Sequence, residues 1–181
     1  MEKQSSAADC GPTRGACVMG CPEGINLSEV LAGKQSAALG GHIRPDGDCV
    51  GSCMGLYMYL REQYPNMEID VYLEEIPDAF RMIQRTDEAK NYIPDGKQYD
   101  LFICLDCGDE RRLGFSSPLF QNAKQTLCID HHVSNDAFAD INYIIPDASS
   151  TSELVFGLLE KTKISLSLIH ISEPTRRTPI S

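Results

Sequence analysis

No stretch of this sequence stays apolar for long. The longest runs, such as Leu101-Phe102-Ile103-Cys104-Leu105, fall far short of the ~20 residues that a bilayer-spanning helix needs. The first 24 residues hold no apolar core of a secretory signal. Positive charge is scarce as well, with 16 Lys and Arg against 26 Asp and Glu and a net charge of −10. That deficit argues against a face for duplex DNA. It leaves phosphate-bearing substrates open, because bound divalent cations invert the sign of a local carboxylate cluster. Internal repeats and low-complexity blocks are missing too. A soluble cytoplasmic protein, with no membrane partner, is the expectation.

The remainder fits one folded domain. The chain has 181 residues, 42% of them hydrophobic and 23% charged. A chain of this length buries roughly 70% of its extended surface and needs no disulfide framework. The eight cysteines are therefore expected as reduced thiols. Cys104-x-x-Cys107 has the spacing of a redox or zinc pair but lacks a second pair, so packing is the better reading. Cys10, Cys17 and Cys21 make three thiols with no obvious fourth ligand, which is weak grounds for zinc.

Residues 1–24 lack periodicity and are expected as a disordered leader. Leu27, Val30 and Leu31 recur at helical spacing behind Asn26 or Ser28 as N-cap. An apolar run ends at Gly41-His42, and a helix rich in Met, Leu and Tyr follows from Cys49 to Tyr64, stopped by Pro65. Met67–Leu73 reads as a strand and Pro77–Arg85 as a short helix. A loop with turn residues Pro94-Asp95-Gly96 precedes the strand Leu101–Leu105. A helical turn at Pro118–Ala123 and a strand at Thr126–Ile129 complete the alternation. Strands alternating with helices predict an α/β fold, with a mostly parallel sheet flanked by helices. Ser150-Thr151-Ser152-Glu153 has capping-box spacing and opens a helix carrying Leu154, Val155, Leu158 and Leu159, which reads as structural, with a role at the edge of a site as the alternative. The tail from Leu166 to Arg176 resembles a translated transposase adapter from sequencing libraries, so residues 166–181 are expected to be non-native.

Three apolar runs end in ligand-type residues: the first in His42, the second in Asp106, the third in Asp130-His131-His132. Sites of parallel α/β sheets lie outside the carboxyl ends of the strands, so these residues are expected to converge on one crevice. The first run continues through Arg44-Pro45-Asp46-Gly47-Asp48, where Pro45 stiffens the turn and both aspartates can face inward. Oxygen and nitrogen donors without thiolate favour Mn²⁺, with Mg²⁺ or Co²⁺ as substitutes. That many carboxylates gather only around cations, which points to a pair of ions with one carboxylate between them.

These three segments, His42 to Ser52, Leu105 to Asp109 and Ile129 to His132, resemble the first three motifs of the DHH phosphoesterase superfamily. With Ser150 to Leu154, the wording is most similar to its nanoRNase/pAp phosphatase (NrnA-like) branch. The resemblance runs over residues 25–164, and it implies that 25–165 is the N-terminal domain of that family, incomplete. It implies that His42 and Asp46 bind one Mn²⁺, that Asp48 and His131 bind a second, and that Asp106 bridges them. Asp130 would orient the histidines, His132 would contact the scissile phosphate, and Arg44 is a candidate phosphate contact. The family's fourth motif, with a further metal-ligating aspartate, and its C-terminal DHHA1 domain find no match; Asp136, Asp140 and Asp147 lie outside such a context. The implied activity is hydrolysis of short oligoribonucleotides and of the 3′-phosphate of adenosine 3′,5′-bisphosphate. The alternatives are a cyclic-dinucleotide phosphodiesterase and a non-catalytic metal-binding fragment. A homodimer is compatible with the resemblance.

Overall fold

The computed structural model describes residues 25–161 and the backbone of a strand at 16–19. Six parallel strands form one sheet: β1 (Ala16–Met19), β2 (Ser36–Gly40), β3 (Glu68–Tyr72), β4 (Leu101–Leu105), β5 (Thr126–Asp130) and β6 (Ile141–Ile144). Their spatial order is β1-β6-β5-β4-β2-β3. Four helices accompany them: α1 (Leu27–Leu31), α2 (Gly47–Gln63), α3 (Ser117–Asn122) and α4 (Thr151–Lys161). Among the described residues no helix is long and apolar enough to cross a membrane.

Two apolar layers account for the sandwich. Along β4 the side chains alternate by the period of two of a strand. Leu101, Ile103 and Leu105 join a core with Leu31, Leu60 and Leu158 from α1, α2 and α4. Phe102 and Cys104 face the opposite layer, with Leu119 and Phe120 of α3. Burial on both faces explains why β4 and β5 read as continuous apolar runs. Phe102 meets Phe120 edge to face with ring centroids 5.6 Å apart. Each such aromatic side chain contributes about 1.5–3 kcal/mol through burial.

Strand order reverses at β2. The chain passes from β2 to β3 on one side, then returns to lay β4 against β2's other edge. The carboxyl ends of β2 and β4 therefore border the switch-point crevice. Gly41 keeps the β2 end close to α2, since a Cβ there would sit 2.2 Å from the Cys49 Sγ.

Several elements depart from the expectations above. The leader is not wholly irregular: Ala16–Met19 pairs with Ile141–Ile144 at the sheet edge, because β6 otherwise presents an open row of backbone groups. Strand β6 itself carries no clean apolar run, as Asn142 interrupts it. The expected helix at Pro77–Arg85 is reduced to one three-residue 3₁₀ turn, Asp78–Phe80, and a second such turn, Thr86–Glu88, follows just beyond it. Arg85 sits between them in the left-handed region at φ 63°, which ends any helix. Helix α2 starts at Gly47 because Asp46 caps it, its carboxylate accepting from the Asp48 and Cys49 backbone N–H groups. Cys10, the Cys17 and Cys21 side chains and the adapter-like tail lie outside the described residues. The five described cysteines are free and buried. Cys104, Cys107 and Cys128 pack with Phe102 and Leu119, in keeping with a packing role for the Cys104-x-x-Cys107 pair.

Candidate metal centre

The crevice gathers the ligand-type residues from four segments. His42 follows β2, Asp46 and Asp48 begin α2, Asp106 follows β4, and Asp130 ends β5 with His131 and His132 beyond it. Asp106 stands between two donor sets. Its Oδ2 lies 3.6 Å from the His42 Nε2, which is 3.8 Å from the Asp46 Oδ1. Its Oδ1 lies 3.7 Å from the His131 Nε2, which is also 3.7 Å from the Asp48 Oδ2. The His132 Nδ1 stands 3.9 Å from the same Asp106 Oδ1.

These separations exceed hydrogen-bond length. They suit donors that share an ion: two ligands at ~2.1 Å from one cation lie at most about 4.2 Å apart. Two groups of donor atoms fall within 4.8 Å of one another, His42–Cys49–Asp106 and Asp106–His131–His132. No Lys or Arg pairs with Asp46, Asp48, Asp106 or Asp130 among the described residues. Carboxylates crowded without a fixed cation are a donor set that fits divalent metal.

The two facing imidazoles are set for ligation through Nε2. The His42 Nδ1 lies 2.7 Å from the Ile43 carbonyl oxygen, and the His131 Nδ1 lies 3.3 Å from the Ala148 carbonyl oxygen. A proton on each Nδ1 leaves the Nε2 lone pair facing the carboxylates. The Asp106 carboxylate beside it raises the His42 pKa to about 9, against the opposing effect of burial. Burial opposes the Asp106 charge, yet the His42 imidazole and the Thr151 hydroxyl hold its carboxyl below the ordinary range.

Asp130 is fully buried and serves a different histidine from those facing Asp48 and Asp46. Its Oδ1 meets the His132 Nδ1 at 2.7 Å, while its Oδ2 accepts from the Asn135 Nδ2 at 2.6 Å. Asn135 also donates to the Cys107 carbonyl oxygen. The broader expectation that Asp130 orients the histidines thus narrows to His132. Arg44 is exposed, and its backbone N–H donates to the Glu74 Oε2 at 2.9 Å. The structure brings its guanidinium to no hydrogen-bond partner or ion pair among the described residues.

Backbone strain collects here. Asp106 has φ 55°, a left-handed conformation that costs a non-glycine residue roughly 1–2 kcal/mol. Its N–H still donates to the Ile129 carbonyl oxygen, so the ladder holds to the last residue before the chain turns.

Sequence reasoning gave three contributors no specific contact. Thr151 is fully buried and its Oγ1 donates to the Asp106 Oδ1 at 3.0 Å. The Thr151 and Ser152 backbone N–H groups donate to the two Asp48 carboxylate oxygens, each at 2.8 Å. Cys49, one turn past Asp46 in α2, reaches the His42 side; its place on the inner face of the first helical turn was the available signal.

Residues 37–175 match the DHH family, N-terminal domain. The chain is similar to the bifunctional oligoribonuclease and PAP phosphatase NrnA of Bacillus subtilis, 30% identical over 118 residues, covering 65% of this chain and 36% of that protein. It is also similar to the cyclic-di-AMP phosphodiesterase PdeA of Listeria monocytogenes, 25% identical over 148 residues, covering 74% and 22%. Among solved structures, an exopolyphosphatase-related protein from Bacteroides fragilis matches with a TM-score of 0.67 and 26% identity, over 75% of this chain and 42% of that one. The chain spans a little over a third of the length of the B. subtilis relative.

Proposed function

The chain belongs to the DHH family, and from that premise we propose that it carries the metal-binding domain of a phosphoesterase with two divalent-ion positions. The observation that carries the reading is the division of Asp106: one oxygen faces His42 and the other faces His131. His42 and Asp46 would hold the first ion, Asp48 and His131 the second, with Asp106 shared. When bound, such a pair supplies positive charge for a phosphoryl group and makes a water acidic enough to attack near neutral pH. Mn²⁺ is the ion that the nitrogen and oxygen donors favour, with Mg²⁺ or Co²⁺ as substitutes.

The chain's own residues do the rest. Asp130 fixes the His132 ring through Nδ1 and so turns its Nε2 edge toward a phosphate oxygen, to which the ring in its doubly protonated form would donate and whose charge it would stabilise. His132 is only partly exposed, so the ring presents an edge to substrate while its partner stays dry. Arg44, exposed on the loop after His42, supplies a free guanidinium for a further phosphate oxygen. The net charge of −10 disfavours duplex DNA and leaves small phosphate esters neutralised by cations. Five reduced, buried cysteines accord with a cytoplasmic setting. A homodimer belongs to the same proposal.

The preferred substrates are short oligoribonucleotides and the 3′-phosphate of adenosine 3′,5′-bisphosphate, supported by the likeness to NrnA. The likeness to PdeA favours a cyclic dinucleotide as the second reading. Hydrolysis of adenosine 3′,5′-bisphosphate, a ribodinucleotide and cyclic di-AMP is compared with Mn²⁺ present and absent, alongside Asp106→Asn. The proposal expects Mn²⁺-dependent release from the first two, abolished in the variant. Turnover that survives Asp106→Asn refutes the shared-ligand role.

A further inference from the structure

Asp106 has a single side-chain hydrogen bond among the described residues, and it comes from α4. The three histidine nitrogens near it stand at 3.6, 3.7 and 3.9 Å, too far to fix the carboxylate plane. The terminal torsion of an aspartate is broad and roughly two-fold, so the plane would swing without another partner. Thr151 is that partner, its Oγ1 donating to Oδ1 at 3.0 Å from a fully buried position. The same turn of α4 grips Asp48, whose two oxygens accept the Thr151 and Ser152 backbone N–H groups. The shared carboxylate and a carboxylate of one ion position are thus set by one element.

We propose that Thr151 is a positioning residue, whose hydroxyl decides which Asp106 oxygen serves which ion. This rests on the two-ion reading above. The hydroxyl holds Oδ1 on the His131 side, which keeps Oδ2 turned toward His42. The left-handed backbone at Asp106 aims Cβ into the crevice, and Thr151 supplies the remaining rotation. Neither suffices alone, because the backbone leaves the carboxylate plane free.

The test titrates the 181-residue chain with Mn²⁺ and follows binding and electron paramagnetic resonance together. Wild type is expected to bind two ions, the second showing the exchange-coupled signal of a bridged pair. Thr151→Val keeps the side-chain shape and both backbone bonds to Asp48 but removes the hydroxyl. It is expected to weaken the second ion by roughly tenfold to a hundredfold, the usual effect of losing a hydrogen bond behind a ligand, and to lose the coupled signal. Thr151→Ser restores both, and unfolding in EDTA verifies that each variant is folded. Where valine packs badly, Thr151→Ala repeats the comparison. Equal binding and coupling in Thr151→Val and wild type overturns the role of Thr151 alone. A serine variant as defective as the valine one also overturns it, since the methyl group would then be responsible. A wild type that never binds a second ion overturns the two-ion reading, and this inference falls with it.

Discussion

Replacing Asn135 separates two kinds of cost in the layer behind His132. Asn135 is buried, its Nδ2 donates to the Asp130 Oδ2 at 2.6 Å and to the Cys107 carbonyl oxygen at 3.1 Å, and its Oδ1 accepts the Ala137 N–H at 2.8 Å. Asn135→Leu keeps the branched outline and removes every side-chain bond. A buried carboxylate that loses a donor costs about 2–3 kcal/mol, and the Ala137 N–H adds about 1 kcal/mol. A loss of about 3 kcal/mol, or roughly 10 °C in Tm for a domain of this size, is expected. Asn135→Asp keeps the shape and faces Asp130 with a second carboxylate. Two charges ~4 Å apart at an effective dielectric of 20 repel by about 4 kcal/mol. That repulsion raises the folded pKa of one carboxyl above its unfolded value. The penalty is therefore absent below the ordinary carboxylate range and grows as pH rises through it. Urea unfolding in EDTA at pH 4.5 and pH 7 reads the difference from wild type. The Asn135→Asp deficit is expected to widen markedly between the two, and the Asn135→Leu deficit to stay level. A leucine variant within 0.5 kcal/mol of wild type, or an aspartate variant whose deficit ignores pH, refutes the reasoning.

Three shorter predictions share the same assays. Gly41→Ala drives a Cβ to 2.2 Å from the Cys49 Sγ, and urea unfolding is expected to register a loss of about 1–3 kcal/mol from overpacking. The Lys124 ammonium, with the Gln35 and Ser36 N–H groups, holds the Asp100 carboxyl at about 2. A depressed folded pKa stabilises above the ordinary value and is lost as pH falls, so stability should decline between about pH 4 and pH 2. In Lys124→Met that decline is expected to shrink, by under about 1 kcal/mol because Lys124 is exposed. Asp106→Asn is expected to abolish the tight binding of both Mn²⁺ ions in a calorimetric titration; retention of either at wild-type affinity counts against a shared ligand.

Much of the sheet and the outline of the site were legible because the information is local. β2, β4 and β5 are apolar runs that close on His42, Asp106 and Asp130-His131-His132, and a parallel sheet brings such ends together. β6 escaped because Asn142 breaks its run; that side chain is spent on the Ala139 N–H and carbonyl groups. The capping-box reading caught one role of the α4 start, since the Ser150 Oγ accepts the Glu153 N–H. It missed the larger one, because nothing near Thr151 in sequence indicates Asp48 or Asp106. The Glu153 carboxylate reaches back to Ser149 rather than Ser150, a shift that spacing does not reveal. The partners of His42 and His131 are backbone carbonyls, which every residue possesses and no motif marks.

The α4 clamp also has a place in time. Asp48 and Thr151 are 103 residues apart, so on a ribosome adding ~5–20 residues per second the carboxylate waits about 5–20 s for its partner. The sheet imposes a similar order, for β1 finds no neighbour until β6 has been made. Pairings of such long sequence separation close late and slowly. A nascent chain therefore passes through an interval in which β2 to β5 have emerged and the acidic cluster has no helix behind it. Metal capture by growing chains halted at successive lengths would thus switch on abruptly once α4 docks.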